Sequence, residues 1–468
     1  MKLRLVALVA IAGLLAGTAF RNAPTNSAFR MDHVSVAAGT GGGGGSPDPA
    51  LGVNSLEFAP TDGGGMGTEC ACADVTASTG EALTTTRPGV TGCLYNNSQL
   101  YKECPADKPV VAKEDGFGSQ LGLWVVPSYT NLILSSREIL PDSWTKQESL
   151  SVERSFGMNA DGGGGTKLTN TGQNQIWQDV TGTSGTYIGS FYMKLVTGGT
   201  CGFYASIDGA TTVTDDLIPL LSTTKWKRVL PVLLPSCYSS DGGTDNCIVQ
   251  SVMQKSGLTN PQFHYIINGY NCAVAVDLVS LTKTSTVDPI PIVTTTVAAT
   301  RNAPVETFST PGSNWDGGAG WDGGFNFGDA GCVRVSLRPM LSGASLSTTM
   351  NTIVQTGSNS ATDTVLYHDG TNVYTTDGTK DAGTAVTQTV ASKFKVGAIW
   401  RPSSAPTKKY VVAYTAPVGQ TESALDGGMR QAYVQLGGGT STASGNVFTS
   451  FAISADPSVC LYSDGGTP

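Results

Sequence analysis

Between about residues 134 and 285 the apolar positions come in short runs bounded by Gly, Thr and Asn, and no stretch of length carries a helical period. Residues 186–194 alternate larger and smaller side chains between Gly and Thr turns. Residues 226–234 and 273–279 are further apolar runs of strand length. Beyond residue 300 the clearest signal is 364–374, two β-prone runs around Asp369-Gly370, the composition of a tight hairpin. Residues 393–400, 410–414 and 447–453 supply more strands at the spacing of a sandwich. The pattern predicts an all-β chain with two β-sandwich domains.

The segments between these runs divide the chain. Residues 1–19 open with Met1-Lys2-Leu3-Arg4, continue through an apolar run at 5–16 and end on Gly17-Thr18-Ala19, the pattern of a secretory signal peptide. That run is short for crossing a bilayer core of about 30 Å, so no membrane span is expected in the mature chain. Residues 20–65, with Gly41 through Gly45 in a row, read as a Gly-rich disordered linker. Residues 66–133 form a Cys-rich collar, 134–285 a jelly roll, 286–300 a linker of Pro, Val and Thr, and 301–462 the second sandwich.

Composition narrows the function classes. Gly makes up 59 of 468 residues and charged residues are 14%, which removes long charged helices from consideration. The net charge is −8 without any basic block, so nucleic acid, which needs clustered Lys and Arg, is not an expected partner. His33, His264 and His368 are the only histidines, too few for a His-rich metal site.

The ten cysteines suit export to an oxidising compartment and fall into three even groups: Cys70, Cys72, Cys93 and Cys104; Cys201, Cys237, Cys247 and Cys272; Cys332 and Cys460. Cys332 and Cys460 bracket the last domain, whose first and last strands would be neighbours, and are expected to pair. The second group allows three connectivities, of which Cys237–Cys247 with Cys201–Cys272 is the reading adopted. The first group is left open. None of the spacings matches a zinc finger or ribbon.

Catalytic motifs are scarce. Residues 318–323 have the glycine spacing of a dinucleotide loop, yet no strand leads in and no helix leads out. A Walker loop, a serine-hydrolase elbow and a His-Glu-x-x-His helix are absent. A glycosidase needs only two carboxylates about 5 to 10 Å apart, so that activity stays as a third reading. More suggestive is Trp315-Asp316-Gly317-Gly318, repeated as Trp321-Asp322-Gly323-Gly324. Two indoles on a Gly-rich surface could stack on sugar rings while Asp316 and Asp322 accept hydrogen bonds or hold calcium, the one cofactor considered; packing of both rings into a sandwich edge is the alternative. Trp177, between Gln175, Gln178 and Asp179, is a further sugar-contact candidate. His368 reads as a hairpin position beside the turn, and Trp144, Trp226 and Trp400 as core.

Residues 122–137, Gly-Leu-Trp-Val-Val-Pro-Ser-Tyr-Thr-Asn-Leu-Ile-Leu-Ser-Ser-Arg, followed by Ser143-Trp144-Thr145-Lys146, resemble the junction found in phage tail-fibre and head-fibre proteins and their bacterial relatives. Residues 79–87 resemble the strand of that family which ends in an arginine, here Arg87. The chain departs from the family in carrying Val126 where a glutamate is usual, and in the four collar cysteines. The resemblance implies a jelly roll like those of carbohydrate-binding modules and a C-terminal concanavalin-like, laminin-G-type sandwich. It also implies a secreted, fibre-like or adhesin-like protein that binds cell-surface or extracellular polysaccharide without chemistry, as a homotrimer or filament. No coiled-coil heptads enforce such a trimer. The alternative from another class is a structural subunit of a virion or cell-surface filament that binds no sugar.

Overall fold

The computed structural model describes residues 53–57, 70–72, 83–89, 91–95, 100–113, 121–158, 164–234, 237, 244–309, 325–326, 331–340, 351–355, 364–369, 371–376, 381–385, 394–401, 408–413, 421–424, 430–431, 433–438 and 445–454. These residues form β-strands, joined by loops and 3-10 turns, and contain no α-helix. Among them no helix is long and apolar enough to cross a membrane. The protein is all-β and built of sandwiches, as short runs rich in Val, Ile, Thr and aromatic residues between Gly turns require.

The jelly roll is organised by one 22-residue strand, Gln262–Lys283. Its first part pairs with Asn174–Asp179 on one side and Thr200–Ser206 on the other. Its second part pairs with Thr166–Thr171 and Gly185–Thr197. The strand changes partners at Gly269 (φ +108°) and Asn271 (φ +58°). A Cβ on Gly269 would lie 2.1 Å from the Thr200 carbonyl oxygen, so the backbones approach as only glycine permits. A break of this kind lets one strand serve both layers. Inward residues of both parts fill a single core. Phe263, Tyr265, Ile267, Val274, Val276, Val279 and Leu281 meet Phe191, Phe203 and Trp144 there. Tyr265 is the hub, stacked on Trp144 at 6.0 Å and edge-on to Phe191 at 5.0 Å. Trp144 and Trp226 are both buried.

The second sandwich takes strands from both sides of the jelly roll. One sheet carries Gly331–Pro339 between Phe394–Arg401 and Asn446–Ser454, and Asn446–Ser454 also pairs with Leu121–Val125 and Val53–Glu57. The other sheet includes Leu83–Thr86 against Val305–Ser309 and the hairpin Thr364–His368 with Asn372–Thr376. Strands of the stretches read from composition as linker and collar thus extend the sandwich at 301–462, and the jelly roll is inserted between them.

The two connecting segments run side by side. Tyr129–Asn131 pairs with Ala299–Arg301. Asn131, fully buried, donates to the carbonyls of Val279 and Ile292 and accepts from the amides of Ile133 and Leu281. The segment read as a linker is buried from Val287 to Ile292, because Val287, Ile290 and Ile292 alternate with polar and Pro positions and supply apolar contacts. Asp288 pairs with Arg301 at 2.6 Å, and Arg228 donates to the Asp288 and Pro289 carbonyls and to Ser190. Burial raises the Asp288 carboxyl, against the pull of Arg301 and Arg228. Residues 122–137 therefore form the junction between sandwich and insert.

Three disulfides join described cysteines: Cys72–Cys104, Cys201–Cys272 and Cys237–Cys247. Cys201–Cys272 spans 71 residues and ties the start of Thr200–Ser206 to the middle of the long strand just past its bend, a loop closure worth about 4 kcal/mol in the chain-entropy account. Cys332, on Gly331–Pro339, stands opposite Ser454 on the last strand, whereas the first strand of the last domain, Val305–Ser309, lies in the other sheet between Leu83–Thr86 and Tyr433–Leu436. Cys460 and the side chains of Cys70, Cys93, Cys332 and Trp400 lie outside the described residues.

Candidate functional site

Residues on the first part of the long strand alternate strictly between two faces. Phe263, Tyr265 and Ile267 point into the core, so Gln262, His264, Ile266 and Asn268 point out. Directly opposite residues of antiparallel strands share a face. The register therefore places Thr145, Trp177, His264 and Ser206 in one row across four strands. Gln175, Ile266 and Tyr204 form the adjacent row, and Asp179 with Gln262 the row on the other side, where Asp208 bridges to Gln262.

Trp177 is half-buried and lies parallel to the His264 ring, centroids 5.8 Å apart and planes 8° apart. Two strands away Tyr204 leans along its own strand: a Cβ on Gly202 would fall 2.7 Å from the Tyr204 hydroxyl and 2.9 Å from its ring. Gly202 is thus the bare floor on which that ring rests. The two aromatic groups are separated by two strand spacings, roughly 10 Å, with Ile266 between them. The result is a shallow apolar strip flanked by polar groups.

A chain of side-chain hydrogen bonds fixes the strip's edge. The Gln262 amide nitrogen donates to Asp179, which turns its oxygen toward His264 Nε2 at 3.2 Å. An amide oxygen only accepts, so the network assigns the proton to His264 Nε2 and leaves Nδ1 as a bare lone pair. That Nδ1 is buried and has no partner among the described residues. Burial holds the imidazole below its ordinary value, against the opposing charges of Asp179 and Asp208. Asp208 is held by Lys255, by Ser206 at 2.7 Å and by the Thr212 amide at 3.0 Å. Burial acts to raise its carboxyl, but these donors outweigh it and keep Asp208 well below the usual carboxylate range. It is an ionised acceptor at neutral pH.

The face offers flat apolar rings, fixed acceptors and amide donors, which is the chemistry that holds a pyranose by stacking and peripheral hydrogen bonds. A glycosidase acid needs a raised pKa. Among the described residues the carboxyls pushed up are Asp288 and Glu306, and both sit in packed interiors beside arginines, away from this face. Among the described residues no cluster of three or more His, Cys, Asp or Glu could hold a metal ion.

Of the five candidate ligand residues, Trp177 belongs to this face; Trp315, Asp316, Trp321 and Asp322 lie outside the described residues. The face adds His264, Tyr204, Gln262 and Asp208, which sequence reasoning did not single out. The signal available for them was the Gln-Phe-His-Tyr-Ile-Ile-Asn alternation at 262–268, whose meaning depends on the register that sets it beside Trp177. His368 is a buried hairpin position, 1% exposed, next to Asp369, whose carboxylate accepts from the Thr371 and Asn372 amides.

No family model matches the sequence, and no curated protein matches it. Solved structures similar to the chain include the CBM22-1 xylan-binding domain from Paenibacillus barcinonensis Xyn10C, at 14% identity over 35% of this chain and 96% of that one, with a TM-score of 0.21. The tail fiber protein gp63.1 from a phage of E. coli is similar at 11% identity over 70% of this chain and 41% of that one, with a TM-score of 0.22. Domains LG4-5 of the mouse laminin alpha1 chain are similar at 7% identity over 70% and 88%, with a TM-score of 0.21. At such identities and scores the likeness reaches no further than sandwich architecture.

Proposed function

We propose that this chain is an exported, disulfide-bonded binding protein that holds an extended glycan on the outer face of its jelly roll and performs no chemistry on it. The reading rests on one observation: the Trp177 ring lies stacked on His264 in a row of outward residues, beside an acceptor chain and within two strands of Tyr204. An uncharged polysaccharide of the cell surface or extracellular matrix suits a face of neutral rings, amides and carboxylates. A single shallow strip binds weakly, so display in several copies, as a trimer or filament, supplies avidity. The signal-like residues 1–19 and the disulfides favour an extracellular location.

Affinity electrophoresis in gels cast with soluble xylan, mixed-linkage β-glucan or galactomannan tests this. Wild type should be retarded by at least one of them, and Trp177→Ala should weaken that retardation about tenfold while melting as a folded protein. Retardation by none, or a folded Trp177→Ala retarded like wild type, overturns the reading.

A further inference from the structure

The bend in the long strand is pinned from several sides. Gly269 and Asn271 take positive φ there, and Asn170, fully buried, donates from its amide to the carbonyls of Ile267 at 3.1 Å and Gly269 at 2.9 Å. Cys272, two residues past Tyr270, is bonded to Cys201. On the facing turn a Cβ at Gly199 would lie 2.5 Å from the Asn271 carbonyl oxygen and 2.7 Å from that of Tyr270, so the two backbones touch. The backbone of Tyr270 is thus held, while its side chain is 65% exposed. A ring left in water on such a base adds nothing to the core.

Register puts this ring on the face that carries Trp177. The ladder between Thr200–Ser206 and the long strand runs from Ser206 opposite His264 to Thr200 opposite Tyr270 without a shift, and directly opposite residues share a face. Thr171, Tyr270 and Thr200 form one row, all three exposed. Between this row and the Trp177 row, Tyr204 leans over Gly202 in the direction of Thr200, so its ring lies in the interval. From His264 to Tyr270 the strand covers roughly 20 Å.

We infer that the sugar-binding strip continues from Trp177 past Tyr204 to Tyr270 and takes a linear, uncharged glycan of about four consecutive pyranoses, with Tyr270 stacking on the sugar farthest from Trp177. The inference rests on the ligand class proposed above and adds its length and direction. A ring on a held backbone loses little freedom on stacking, so Tyr270 contributes affinity at small entropic cost. A disaccharide covers one end of the strip only and leaves the far aromatic ring unused.

The test uses the full chain in the same three gels. On the glycan that retards wild type, Tyr270→Ala is expected to weaken retardation about three- to tenfold and Tyr270→Phe, which keeps the ring, to stay within about twofold. Oligosaccharides prepared from that glycan then compete for the protein. The tetrasaccharide should compete at least about tenfold better than the disaccharide against wild type, and about threefold better or less against Tyr270→Ala. Nitration with tetranitromethane, read residue by residue by mass spectrometry, needs no variant: saturating glycan should protect Tyr270. A folded Tyr270→Ala retarded like wild type overturns the inference. So does a disaccharide that competes for wild type as well as the tetrasaccharide, or nitration of Tyr270 at one rate with and without glycan. If Tyr270→Ala does not fold, competition against wild type and nitration decide. Wild type retarded by none of the three glycans overturns the jelly-roll reading and this one together. Weakened retardation in Trp177→Ala with none lost in Tyr270→Ala overturns this one alone.

Discussion

The two parts of the 22-residue strand Gln262–Lys283 share one core but have opposite outer faces. In the first part the outward side chains are Gln262, His264, Ile266 and Asn268, and they carry the aromatic strip. In the second part they are Ala273, Ala275, Asp277, Leu278, Ser280 and Thr282, and the chain folds over them. Tyr101, Met158, Tyr192 and Trp226 pack on Ala275 and Leu278. Asp277, fully buried, is clamped by Arg137 at 2.8 and 3.1 Å and by the amides of Met158 and Leu278 at 2.8 and 2.7 Å. Small residues let a covering layer approach closely, and a carboxylate is tolerated there only because its oxygens are filled. In the first part the outward residues are longer and linked sideways to one another: His264 and Ile266 are buried among their neighbours on that face, while Gln262, Asn268, Trp177 and Tyr204 are half-buried. One strand therefore provides a bonded interior on one stretch and the aromatic strip on the next.

The largest effect expected from breaking this contrast is at Asp277. Asp277→Ala removes the carboxylate that Arg137 clamps and strips two amides of their acceptor, so chemical denaturation should show a loss of about 3–5 kcal/mol. The protein that remains folded should still bind glycan, because the clamp lies on the covered stretch. A smaller effect belongs to His264. The unfolded imidazole takes up a proton near 6.5, while the folded one, held lower by burial, resists it. Between those two values the unfolded state carries more protons, so stability should fall as pH drops below 6.5. His264→Phe, which keeps a ring under Trp177 but cannot titrate, should flatten that slope in melting curves taken from about pH 7 to about pH 4. The smallest effect is at Gln262. Gln262→Ala removes two side-chain hydrogen bonds at a half-exposed position and should cost about 1 kcal/mol or less in thermal unfolding.

The covered stretch was easier to read from sequence than the open one. Residues 273–279 form an apolar run that announces a strand, as does the alternation at 186–194. Residues 262–268 alternate as well, but Gly269-Tyr270-Asn271 looks like a turn, and only the positive φ values at Gly269 and Asn271 show it to be a bend within one strand. Trp177 could be marked as a ligand candidate from its polar neighbours. His264 could not, because its role comes from a pairing between residues far apart in the chain. Residues 286–300 read as a linker because of their Pro, Val and Thr content, whereas Val287, Ile290 and Ile292 bury the stretch from 287 to 292. The hairpin at 364–374 was legible from its Asp-Gly turn, yet the parallel rings of Tyr367 and Tyr374 follow from register, which the turn composition alone does not set.

The short ladder between Tyr129–Asn131 and Ala299–Arg301 brings the entry and exit of the jelly roll together. A module whose ends meet can be exchanged for another of different size without stretching the host around it. The sandwich at 301–462 and the strands that complete it can then remain a constant chassis, while surface specificity changes by swapping a single cassette.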